Sequence, residues 1–168
     1  AKLWQYGKQP VEIMPELIAH CDLVMGNIWS ANSLLGIHLD ENIHAKKSKE
    51  AYMQHASVTA NAIMNQYPKC TTVANTFRFD AGDGIQYYAA LNDKAGQYIS
   101  KEFYLDKVID KVGSGDCFMA GLIYGKYNKH TEQQIIDFAA AAAVGKMQEI
   151  GDATNQSVEA VHKRLNEL

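Results

Sequence analysis

Short apolar runs alternate along the chain with longer stretches whose apolar positions recur every three or four residues. The segment PVEIMPELIAHC predicts a short helix, with Pro10 in its first turn. CDLVMGN is a compact apolar run ending in Gly26-Asn27, the pattern of a buried strand. SANSLLG reads as a helical turn closed by Gly36. KKSKEAYMQHASVTANAIMNQY predicts a longer helix, because Tyr52, Ala56, Ala60 and Ile63 fall at helical spacing and Pro68 stops it. CTTVANTF is rich in β-branched residues and predicts a strand. GIQYYAAL and QYISKEFYL predict a hairpin joined by NDKAG. VIDKV predicts one more short strand. Helix follows from Asp116 to about Tyr127. TEQQIIDFAAAAAVGKMQEIG is a further helix, opened by a Thr131/Gln134 capping box and ended by Gly151. SVEAVHKRLNEL closes the chain as a helix with Ser157 as its cap.

Strands alternating with helices, plus a hairpin, predict an α/β sandwich on a largely parallel sheet, in which ligands bind beyond the carboxyl ends of strands. No repeat, low-complexity tract or Gly/Ser linker interrupts the pattern, so 1–168 reads as a single unit. Its 168 residues can bury a substantial core. A formal charge of -3 without any like-charge run argues against a nucleic-acid surface. No run is long enough to span a membrane. Cys21, Cys70 and Cys117 are widely spaced and lack a CxxC pair, which disfavours zinc and disulfides and fits a reducing cytoplasm. The start, AKLWQYGKQP, is not a signal peptide and lacks Met, which points to a processed or truncated chain.

The stretch DKVGSGDCFMAGLIYG places one carboxylate, Asp116, between two glycines and an apolar helix. Gly113, Ser114 and Gly115 permit a tight turn and let backbone N–H groups approach an anion, while the helix aims its positive end at the same spot. No GxxxxGK[ST] occurs, so the turn is not a Walker A loop. Asp116 beside a phosphate could accept a proton from an attacking hydroxyl, or it could cap the helix. Local chemistry leaves both open.

This stretch resembles the second signature of the ribokinase-like (PfkB) carbohydrate kinases, a D-T-x-G-A-G-D pattern before a small, apolar helix. Asp110, Gly113, Gly115 and Asp116 fill the fixed places, and Ala120-Gly121 match the small residues that follow. Lys111 stands where Thr is commonest, which favours the 2-keto-3-deoxygluconate kinase branch, and Ser114 replaces Ala. GNIWSANSLLG is similar to the segment carrying N-x-x-E near magnesium and phosphates: Asn27 is kept, while Ser30 takes the Glu place. NTFRF resembles the nucleotide-contacting T-x-G strand end, with Thr76 kept and Arg78 in the Gly place. The alanine-rich segment ending in GDATNQS resembles the helix that makes room for adenine.

The resemblance implies a ribokinase-like three-layer α/β/α fold, represented by its C-terminal part without the N-terminal strands and β lid. It implies ATP with Mg2+ as donor and a sugar acid as acceptor, with 2-keto-3-deoxygluconate the first expectation. Asp116 would be the catalytic base and touch the acceptor, and Gly113, Ser114 and Gly115 the anion hole. Asn27, Thr76, Arg78, Ala140 and Ala143 would bind ATP, Asn27 also meeting the metal through water. Family members are about twice as long, and no Gly-Gly sugar signature occurs here, so this chain alone is expected to be a poor kinase. The alternatives are a relative acting on another sugar or a nucleoside, or a non-catalytic nucleotide-binding module. Assembly into a homo-oligomer stays open. His20, His38, His44, His55, His130 and His162 lack metal-binding spacing, and Asp80 and Asp83 read as a turn with Gly82 and Gly84. Tyr87, Tyr88, Tyr98, Phe103 and Tyr104 read as cross-strand packing. Trp4 and Trp29 read as packing residues.

Overall fold

The computed structural model describes Trp4 and residues 7–40, 42–43 and 48–167. The described elements are α1 (Pro10–Ile18), β1 (Leu23–Gly26), α2 (Ile28–Leu35), α3 (Lys49–Gln66), β2 (Thr72–Ala81), β3 (Gly84–Asp93), β4 (Gln97–Ile99), β5 (Phe103–Leu105), α4 (Ser114–Tyr127), α5 (Glu132–Lys146) and α6 (Val158–Asn166). The strand order is β1-β2-β3-β4, with β5 also pairing β3. β1 and β2 are parallel and β3 and β5 antiparallel, so the α/β sheet is mixed. Connection length explains this. The path from β1 to β2 carries two described helices and is long enough for a parallel return, whereas β2 and β3 are separated only by the turn at Gly82-Asp83.

The chain forms two compact units: residues up to Asn75 with Leu91–Gln97, and Thr76–Ala90 with the residues from Tyr98 onward. β2 and β3 run through both, so the division follows no linker. In the first unit, β1 pairs with the start of β2 from Leu23↔Thr72 to Gly26↔Asn75. α2 begins two residues earlier than SANSLLG suggests, because Asn27 caps it, and Gly36 closes it in the left-handed conformation at φ 69°. α3 is capped by Ser48, whose hydroxyl oxygen accepts the Ala51 N–H. The expected helix start at Lys46-Lys47, like His44, lies outside the described residues. The core of this unit gathers Ala31, Ile37, Ala60, Ile63, Tyr67, Cys70 and Val73. Trp29 packs edge-on against Tyr52, ring centroids 6.3 Å apart.

In the second unit, β2 alternates between a more buried and a more exposed face from Thr76 to Asp80, as a half-buried strand does. Phe77 is buried and stacks on Tyr88 at 5.3 Å, while Thr76, Arg78 and Asp80 share the opposite face. Tyr87 lies opposite Phe103, as the aromatic pattern predicted. VIDKV is not a strand. The amides of Ile109 and Asp110 both donate to the Met147 carbonyl, at 2.9 and 3.3 Å, so the segment is pinned to the end of a helix instead of a sheet edge. α5 has the expected Thr131/Gln134 capping box but stops at Lys146, short of Gly151. Ser157 caps α6. α4 and α5 cross at backbone contact: a Cβ on Gly121 would lie 2.6 Å from the Ala139 Cα. The apolar α4 positions Phe118 and Leu122 and nearly all of α5 are buried as a result.

Candidate functional site

The glycine turn opens α4. Gly113 occupies the N-cap position in the left-handed region, φ 77°, and a Cβ there would lie 1.9 Å from the Asp152 carbonyl oxygen. Both conditions demand glycine. Gly115 differs, because the space where its Cβ would project holds nothing within 4 Å. With glycine at the N-cap, no side chain takes up the first amides of the helix. The Ser114 N–H lies 3.4 Å from the Lys111 carbonyl, a long bond, and its hydroxyl donates to the same oxygen at 2.8 Å. The N–H groups of Gly113, Gly115 and Asp116 have no acceptor among the described residues.

Asp116 sits at the third helical position, not the cap. Its side chain is exposed and makes no hydrogen bond or ion pair with the described residues. Two other aspartates brace the turn. Asp110 accepts the N–H groups of Val112 and Gly151, each at 2.9 Å, and these bonds hold its carboxyl below the usual value of 3.8. Asp80 receives the Lys111 ammonium at 2.7 Å, and this hydrogen bond and charge lower its pKa in turn. Lys111 is thereby tied to the strand face that carries Thr76 and Arg78. Thr76 is half-buried, and Arg78 is exposed with its guanidinium unpaired among the described residues.

Next to the turn lies a cleft of about 170 Å³, lined by Cys117, Ala120 and Tyr124 of α4, Phe138 and Ala142 of α5, and Thr154 and Gln156 of the following loop. Asp116, Ala120 and Tyr124 are spaced by four, so the carboxylate tops the same helical ridge that walls the cleft. Burial pushes the Cys117 thiol up. The cleft corrects one sequence expectation. Ala140 and Ala143 are 0% exposed and lie inside the core, so they offer no surface to a ligand, and the small side chains on the cleft are Ala120 and Ala142. An unbroken alanine run has no polar positions to mark which side faces out.

Asn27 belongs to the first unit. Its Oδ1 accepts both the Ser30 N–H at 2.7 Å and the Ser30 hydroxyl at 2.9 Å. Both lone pairs are thereby used, leaving only the Nδ2 donor group, which suits a phosphate oxygen better than a metal-bound water. Among the described residues, no group of three or more His, Cys, Asp or Glu could hold a metal ion. The residues that sequence reasoning missed are Thr154 and Gln156. Gln156 reaches the Ala142 carbonyl at 3.0 Å and the Thr154 hydroxyl at 2.9 Å, contacts that no local pattern announces.

No described helix is long and apolar enough to cross a membrane. No curated protein matches the chain by sequence. Among solved structures it is similar to 2-dehydro-3-deoxygluconokinase of Thermotoga maritima, with 25% identity and a TM-score of 0.81 over 94% of this chain and 45% of that one. A putative 2-keto-3-deoxygluconate kinase from Enterococcus faecalis has 21% identity and a TM-score of 0.73 over 96% of this chain and 48% of that one. Adenosine kinase from Sinorhizobium meliloti has 19% identity and a TM-score of 0.59 over 90% and 39%. The last two likenesses show the fold alone. The chain spans less than half the length of each of these proteins. The pattern of the "pfkB family carbohydrate kinase" family matches residues 3–159. That match covers nearly the whole chain and includes the glycine turn with Asp116, and the chain therefore belongs to the pfkB family of carbohydrate kinases.

Proposed function

We propose that this chain supplies the phosphate-binding turn and the proton acceptor of an ATP-dependent kinase acting on a primary hydroxyl of a sugar acid, with 2-keto-3-deoxygluconate as the preferred acceptor. One observation carries the reading: an exposed, unpartnered carboxylate, Asp116, stands on the first turn of a helix whose leading amides have no acceptors. A structural aspartate at this position would be expected to bond the backbone, as Asp110 does. The choice of acceptor rests on the Thermotoga likeness and on Lys111.

In the proposed step, the Asp116 carboxylate takes the hydroxyl proton as the oxygen attacks the γ-phosphorus. The bond to the β–γ bridging oxygen breaks, and ADP carries away that electron pair. Transfer of this kind needs little covalent help and much charge stabilisation. The N–H groups of Gly113 and Gly115, joined by that of Asp116, would face the oxygens on which charge builds. Ser114 would exchange its long bond to Lys111 for a phosphate oxygen. These dipoles are fixed before the reaction begins, which is why they lower the barrier. Arg78 and Thr76 would engage the polyphosphate, and the small-residue cleft beside α4 would take the adenine. Mg2+ would supply charge neutralisation on the phosphate oxygens, needing few protein ligands.

Replacing Asp116 with Asn tests the reading. Calorimetry on this chain should show ATP affinity within about twofold of the unsubstituted protein. Turnover should fall by about 10²–10⁴-fold in a polypeptide that also supplies sugar-binding residues, such as a fusion to the remaining part of the Thermotoga relative. Equal losses in binding and turnover, or none in either, would contradict the proton-acceptor role. A panel of sugar acids, neutral sugars and nucleosides identifies the acceptor in the same assay, and the chain by itself should release almost no ADP with any of them.

A further inference from the structure

Lys146, the last residue of α5, is 0% exposed, although lysine is among the residues least often fully buried. Nothing in the phosphoryl-transfer step uses it. Its ammonium donates one hydrogen bond, to the Glu149 carbonyl at 3.0 Å, and its other two donors have no partner among the described residues. Burying a charge with a single bond costs more stability than that bond returns. Some other contribution must explain why the charge is there.

We infer that Lys146 is a positioning residue for phosphate binding, holding the 149–152 turn against the glycine turn and setting a fixed positive charge behind its open amides. The inference rests on the kinase reading above and adds a residue to it.

The links are continuous. Lys146 fixes the carbonyl of Glu149, and the Glu149 carboxylate accepts the Thr154 hydroxyl at 2.5 Å and the Asn155 N–H at 3.3 Å. Between these anchors, the Gly151 N–H is held by Asp110, and the Asp152 carbonyl forms the wall against which only a glycine fits at position 113. The charge also reaches both flanks of the glycine turn. At Cys117, the residue after Asp116, it offsets part of the burial that pushes the thiol up, and at Asp110, three residues before Gly113, it adds to a lowering caused mainly by the Val112 and Gly151 hydrogen bonds. A phosphate at the amides would therefore meet the α4 dipole and a buried cation together.

The experiment compares ATP and adenosine binding by calorimetry for the unsubstituted chain, Lys146→Met and Lys146→Gln. Methionine matches the stem and deletes the charge. Lys146→Met should lose about tenfold in ATP affinity, the scale of one charge-assisted hydrogen bond. Adenosine, which has no phosphate, should bind within about twofold of the unsubstituted protein, and the melting temperature should hold or rise because an under-bonded buried charge has gone. Lys146→Gln keeps a donor to Glu149, should show the same ATP-selective loss to a smaller degree, and decides the matter if the Met variant does not fold. Unchanged ATP affinity in a folded variant overturns the inference, as does parallel weakening of ATP and adenosine, which would mark a purely structural lysine. If the unsubstituted chain binds no ATP, the kinase reading itself falls and this inference with it.

Discussion

Two helix starts in this protein meet the same physical problem in opposite ways. α2 begins at Asn27, whose side chain accepts the Ser30 N–H and hydroxyl, so its first turn is closed upon itself. α4 begins at Gly113, which has no side chain to offer, and its leading amides stay open. Every other described helix start has a side-chain cap or a capping box. An N-terminal cap is worth about 1 kcal/mol, and omitting it is tolerable where a ligand supplies the missing acceptor. The contrast teaches that the two starts differ in kind: the Asn27 Oδ1 is spent on its own helix, whereas the Asp116 carboxylate and the amides beside it have no partner among the described residues.

Substitutions at these two starts should give different answers. The largest effect is expected from Gly113→Ala. It forces a Cβ into the left-handed region and against the Asp152 carbonyl, and should destabilise by about 2–4 kcal/mol while abolishing ATP binding. Denaturant unfolding and calorimetry read both, and a stable, ATP-binding variant would remove the special status of that turn. Asn27→Ala should cost about 1 kcal/mol in the same unfolding assay. Gly115→Ala sharpens the contrast, because its Cβ would enter open space at a helical position. It should stabilise by about 0.5–1 kcal/mol yet weaken ATP binding by crowding the approach to the amides. A gain in stability with no loss of ATP would place the anion elsewhere.

The smallest effect concerns pH. Asp110 has a pKa below its unfolded value, so it contributes stability above the usual carboxylate range, and that contribution disappears as pH falls through the lowered folded value. Asp110→Asn should therefore be less stable at neutral pH and lose less on acidification below about pH 4 than the unsubstituted chain. Melting temperatures from pH 7 to pH 3 check the sign, and parallel curves would show that the Asp110 clamp contributes nothing.

Much of the fold was legible because it depends on neighbours within four residues. The Thr131/Gln134 box, the Ser157 cap, the Gly36 stop and the NDKAG turn each complete their bonds locally, and each lies where the pattern put it. VIDKV was misread because its β-branched residues signal a strand, while the partner that takes its amides is the Met147 carbonyl, distant in the chain. Ala140 and Ala143 were misplaced for a related reason. Helical periodicity shows a face only when polar residues mark the other one, and α5 is buried on nearly every side.

Short-range chemistry in this chain dictated where its helices start and stop, and that a tight turn of glycines precedes an aspartate. Those outcomes follow from backbone geometry and capping groups a few residues apart. Which amides stay open, which alanines meet the cleft, and how a lysine comes to be buried at the end of α5 were set by packing between segments remote in the chain. There the balance of desolvation against long-range hydrogen bonds decides, and no window of neighbouring residues contains that balance.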